Sequence, residues 1–169
     1  MDWTAAFSAL CDRLEHAQDA AFVTQHEVAV EGRTAARYST YDSTAQRLLF
    51  GMMPTGNTSH AHEYRLLFAV PALDEAGLDD WWQYAQAVER ALVRPDTHHE
   101  FSMVSLILAV GAVDRATCKK LKRLSGERSF ADGKQGWSSI RVAVVDLAAR
   151  KVYTNRMGDA LKNVLKPLL

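Results

Sequence analysis

The apolar positions change period along the chain, and each period predicts an element. Trp3, Phe7, Leu10 and Leu14 recur at spacings of four, three and four, one stripe of a helix from about Thr4 to Ala17. Asp12, Arg13 and Glu15 fill its other side. From Phe22 to Val30 the chain turns rich in β-branched residues, and Glu31-Gly32 marks a turn, because glycine accepts positive φ without steric cost. Thr34 to Tyr41 alternates small or aromatic with polar residues, Asp42-Ser43 marks a second turn, and Gln46 to Met53 is again strand-like. Pro54 to His62, polar with proline, glycine and asparagine, is expected as a loop. Glu63 to Val70 is then a fourth strand stopped by Pro71. Together these predict an antiparallel meander of four strands.

The second half alternates more widely. Asp74 to Arg94 is the clearest helix: Trp81, Ala85, Val88 and Leu92 form its stripe, acids sit in its early turns, arginines near its end, and Pro95 follows. Phe101 to Val113 is so apolar that both faces of that strand must be buried. Asp114 is placed to cap a helix from Arg115 to Leu124. A glycine-rich loop, a strand from Trp137 to Leu147, a hairpin return over Lys151 to Asn155 and a last helix to about Leu168 complete the order. The fold class is α+β: a mostly antiparallel sheet of about six or seven strands, with helices expected on one side. No repeat or linker divides residues 1–169, so a single domain is expected.

Apolar residues make up 48% and charged residues 24%, a balance that excludes disorder. Two cysteines 107 positions apart, Cys11 and Cys118, form neither a disulfide framework nor a zinc knuckle and are expected as reduced thiols. The opening residues show no basic segment leading into an apolar run, and the longest apolar stretch, Val104–Val113, is too short for a bilayer-spanning helix. The expectation is a soluble, cytoplasmic protein with no membrane contact.

The zero net charge hides a polarity. Residues 1–109 hold 7 Lys/Arg against 15 Asp/Glu, a net of −8, and residues 110–169 hold 13 against 5, a net of +8. Lys119, Lys122 and Arg123 share a helix face at spacings of three and four. With Arg128 and Lys134 they make a candidate anion-binding surface for phosphates. Mutual neutralisation of the two halves is the plainer reading of the same charges.

Four of six histidines lie in two clusters, His60-Ala61-His62-Glu63 and His98-His99-Glu100, each before a predicted strand. If the helix between those strands is a crossover, the strands are parallel and both clusters reach the same sheet edge. His60, His62, Glu63, His98, His99 and Glu100 would then suit zinc or a similar divalent metal. The element order alone resembles the core of restriction-endonuclease-like proteins, which carry an acid on one strand and an acid-x-lysine pair on the next. Asp42 and Glu63 stand near such places, but Arg65 replaces the lysine. Gly133-Lys134-Gln135-Gly136-Trp137 lacks the spacing and following helix of a P-loop. Cys118, beside Lys119 and Lys120, has no oriented base that the sequence can name.

These readings converge on a non-catalytic binding or regulatory domain without a cofactor, whose basic C-terminal region contacts an acidic protein surface or nucleic acid. A symmetric homodimer, in which the acidic first part of one subunit meets the basic last part of the other, is a further expectation, and one of Trp81 and Trp82 should lie nearer the surface. The alternative is a metal-dependent hydrolase or nuclease built on the two His/Glu clusters.

Overall fold

The computed structural model describes residues 3–49 and 53–169. Helix α1 (Trp3–Ala17) leads into strands β1 (Val23–Val30), β2 (Arg33–Leu49) and β3 (Met53–Leu73). Helix α2 (Glu75–Leu92), strand β4 (His99–Val113) and helix α3 (Arg115–Leu121) follow, then β5 (Glu127–Ser129), β6 (Trp137–Asp146), β7 (Lys151–Thr154) and α4 (Asp159–Leu165). The seven strands form one sheet in the order β1-β2-β3-β4-β6-β5, with β7 also pairing β6. This is an α+β fold with a mostly antiparallel, mixed sheet. The two parallel pairings, β3 with β4 and β4 with β6, lie at its centre.

The meander has three strands, not four. Pro54–His62, expected as a loop, belongs to β3 and pairs β2 through Thr44↔His60, Ala45↔Ser59 and Gln46↔Thr58. It is polar because β4 begins only at His99, opposite His60, so the ribbon before His60 has no third strand beside it. Gly56, at φ 77°, lies where the register shifts between Gln46 and Leu48, which explains a turn residue inside a strand. Positions 50–52, within the predicted Gln46–Met53 strand, lie outside the described residues.

Helices cover both faces rather than one. Leu78, Tyr84, Ala85 and Val88 of α2 and Leu121 of α3 pack on Leu66, Phe68, Leu106, Leu108, Val142 and Val144. Leu10 and Leu14 of α1 and Leu161 and Leu165 of α4 pack on Leu67, Ile107, Ala109, Ala143 and Val145. Alternate residues of the central strands thus serve two cores, which is why Val104–Val110 is apolar almost throughout. Asp74 and Asp114 cap α2 and α3 by accepting from Gly77 N and Thr117 N, both at 2.7 Å. Trp81 and Trp82 are both partly buried against the first core. The segment after α3 covers the second ring: a Cβ on Gly126 would come within 2.8 Å of it.

One side chain completes the sheet. β5 pairs β6 over residues 137–139 and β7 pairs it over 143–146, leaving a gap at Ile140–Val142. Asn155, fully buried, donates to Ile140 O at 3.0 Å and accepts from Val142 N at 3.0 Å. Among the described residues no helix is long and apolar enough to cross a membrane.

Candidate functional site

The sequence placed both histidine clusters at one sheet edge, and there they meet. The parallel pairing of β3 and β4 sets the His60 and His98 rings 6.0 Å apart and those of His62 and His99 6.3 Å apart, the latter stacked. Each ring is engaged through Nδ1: His60 with the Thr44 hydroxyl, His62 with Asp42, His98 with Thr58 O, His99 with Gln135 O. The carboxylates do not join them. Glu63 accepts from Arg65 at 2.7 Å, and Glu100 accepts from Ser59 at 2.8 Å. Among the described residues, no three His, Cys, Asp or Glu side chains are placed to hold a metal ion together. Asp42 pairs His62 while Tyr41 pairs Glu63, so the two acids project from opposite faces of the sheet.

The charge polarity is partly internal. Asp79 of α2 binds Lys120 of α3 at 2.5 Å, and Glu89 of α2 binds Arg128 at 2.7 Å. Lys119, Lys122, Arg123 and Lys134 are exposed and belong to none of the ion pairs among the described residues. The Cys118 thiol is buried; burial, then Asp114 and Asp146, pushes it up from its ordinary value, away from the reactive thiolate.

Two polar regions remain, one on each face at the same level. On the α2 face runs the row Asp42–His62–Ser102–Ser138. His99 is buried, with Nε2 2.8 Å from the Ser102 hydroxyl. Glu89, 2% exposed, accepts from the Ser138 hydroxyl at 2.6 Å and from Arg128. Donors and acceptors here are matched.

On the opposite face, beyond the area covered by α1 and α4, three rows cross the sheet. Ser39–Arg65–Ser105–Arg141 is the first, Tyr41–Glu63–Met103–Ser139 the second and Ser43–Ala61–Phe101–Trp137 the third. Ser105 and Ser139 are buried, and their hydroxyls have no hydrogen-bond partner; neither does the buried Nε of Arg141. Burial pulls the Arg141 guanidinium down from its ordinary value and Arg65 adds to this, against Glu63, which raises it. Glu63 is held by Arg65, and Glu127 of β5 lies opposite Ser139 at the end of the second row, so two guanidinium groups and two carboxylates share these rows. Arg65 lies 4.1 Å over the Phe22 ring, and Phe22 in turn packs on Tyr41. A cavity of about 240 Å³ opens next to the second and third rows, lined only by strand residues, among them Tyr41, Ala61, Glu63, Glu100, Phe101 and Met103. Trp137, 40% exposed, stacks on Phe101 at 5.3 Å.

From the sequence, Glu63 and Glu100 were singled out here only as metal-ligand candidates, and Arg65 only as a departure from a lysine; the rest of this second region was not. Its signal is polar residues at alternate positions of otherwise apolar strands: Glu63 and Arg65, Ser139 and Arg141. The register that lines them up across four strands is a tertiary fact. A family described as "Domain of unknown function (DUF8052)" has a model that matches residues 7–167. No curated protein and no solved structure matches the chain.

Proposed function

We propose that this chain, which belongs to the DUF8052 family along almost its whole length, is a non-catalytic binding domain whose open sheet face takes an anionic group. The observation that carries this reading is the set of buried donors without partners: the Ser105 and Ser139 hydroxyls and Arg141 Nε. Buried polar atoms are otherwise almost always paired, and a donor set that includes a guanidinium matches the acceptor oxygens of a carboxylate or phosphate. The three rows carry no histidine, and Glu63 is already an acceptor for Arg65, so a serine here lacks the oriented base that a nucleophile requires. The exposed Lys119, Lys122, Arg123 and Lys134 contribute a field that attracts anions from a distance.

Inorganic phosphate, titrated at low and high salt and read by thermal unfolding, tests this. Ligand that binds only the folded chain raises the midpoint in a saturable way. Arg141→Gln is expected to weaken the effect about tenfold or more, because a buried charge-assisted hydrogen bond is lost. Replacing Lys119, Lys122 and Arg123 together by Gln should leave saturation in place and reduce only its salt sensitivity. If the triple replacement abolishes the effect and Arg141→Gln does not, the anion is held by the α3 surface and the proposal fails.

A further inference from the structure

The open face is graded from one end to the other. Its first row holds Arg65 and Arg141 around the buried Ser105; its second holds Tyr41, Glu63, Met103 and Ser139, with Glu127 of β5 opposite Ser139; its third holds Ala61, Phe101 and Trp137. Successive rows lie two residues apart, so the arginine row and the Trp137 row are separated by about 13 Å. Donors sit at one end and apolar surface at the other. The cavity of about 240 Å³ belongs to the apolar end, with Ala45, Ala61, Phe101 and Met103 in its lining. Glu100, exposed at that end, repels a second negative charge there. Donors at one end and apolar surface at the other orient an anion on this face with its head at Arg141 and its body running toward Phe101.

We infer that the ligand of this face is an amphipathic anion, a single carboxylate or phosphate head on an apolar chain long enough to reach from Arg141 along Met103 to Phe101 and Trp137. This rests on the proposed anion site and specifies its ligand class. The head takes the unpartnered donors of Arg141, Ser105 and Ser139. The body covers Met103 and the stacked Phe101–Trp137 pair, apolar surface that the fold leaves half open. Carboxylate and phosphate share this chemistry and are separated by the experiment below.

Calorimetric titration of the full chain with butyrate, hexanoate and octanoate holds the head constant and lengthens the tail. Each added methylene is expected to tighten binding by up to about fourfold, the value of a fully buried CH₂. Octyl phosphate compared with octanoate ranks the two heads, and octylammonium tests the sign of the charge. Arg141→Gln should weaken all chain lengths by a similar factor. Met103→Ala should flatten the chain-length dependence from butyrate to octanoate. Because the dependence is read on the unaltered protein, a variant that misfolds does not decide the matter. Phosphate, butyrate and octanoate binding with equal affinity would overturn the amphipathic ligand and leave the anion site standing. Octylammonium binding as well as octanoate, or no ligand binding at all, would overturn both.

Discussion

Ser138 and Ser139 are chain neighbours, equally buried, on the same strand, and they face opposite ways into different chemistry. Ser138 points to the α2 face and donates to Glu89 at 2.6 Å. Ser139 points to the open face and its hydroxyl has no partner. On the first side Glu89, Arg128, Ser138, Ser102 and His99 are matched, as expected of polar groups that help a core choose one arrangement. On the second side the Ser105 and Ser139 hydroxyls and Arg141 Nε are buried and unmatched. A matched buried network spends its hydrogen bonds on the fold; an unmatched one beside open space has them available for something else. That difference, rather than the count of charges, separates a structural cluster from a receptive one.

The comparison breaks most visibly at Glu89. Glu89→Ala removes the acceptor of both Ser138 and Arg128. Because Arg128 is half exposed and rehydrates, the expected loss is about 3 kcal/mol, the low end for breaking a buried pair. Urea unfolding should show it as a lower midpoint at unchanged slope. Ser138→Ala removes one donor to the same carboxylate and should cost about 2 kcal/mol. Ser139→Ala, one residue away, should leave stability unchanged or raise it by about 0.5 kcal/mol, since it removes a buried hydroxyl that bonds to nothing. Equal losses at 138 and 139 would erase the distinction between the faces.

A pH dependence is expected on the matched side as well. Tyr84 donates to Val30 O at 2.7 Å, and burial pushes its phenol up to about 12, against Arg33, which lowers it. The folded value exceeds the unfolded one, about 10, so the protonated phenol is favoured by folding. Its contribution is complete below pH 10 and is lost as pH rises from there through 12. Tyr38 and Tyr64, also pushed up by burial, add the same sign. Tyr84→Phe should flatten part of the alkaline decline in stability measured by urea unfolding across pH 9 to about 12.

Periodicity in the sequence located what local physics controls. The α1 stripe, α2 with its cap, the Asp114 cap and the strands around Phe101–Val113 and Trp137–Leu147 can be read from 3.6- and 2-residue periods and from short acidic caps. The parallel pairing that joins the histidine clusters followed from one crossover helix. The β2–β3 ribbon was misdivided because Pro54, Gly56 and Asn57 carry loop chemistry while sitting in a paired, half-wet strand. The open site was hidden for a different reason. Arg65, Ser105 and Arg141 lie 40 and 36 positions apart, and only the register of β3, β4 and β6 makes them one row. The basic run 115–128 was conspicuous because it is continuous in sequence, yet two of its members, Lys120 and Arg128, are held by acids from α2.

The Asn155 bridge has a consequence for how copies of this molecule can meet. Along β6, Ile140 N gives its hydrogen to Gly126 O, Ile140 O receives one from Asn155, Val142 N is taken by the Asn155 carbonyl oxygen, and Val142 O accepts from Asn155 N. These bonds leave β6 nothing to offer an incoming strand between β5 and β7, so the margin on that side consists of two short strands. The opposite margin, β1, carries Glu27 with positive φ in its middle, a backbone kink and a charge that spoil a flat template. The sheet is therefore protected at its two ends by unlike devices, two short strands joined by a saturated seam and a bent, charged border, and each discourages fibrillar growth by strand addition.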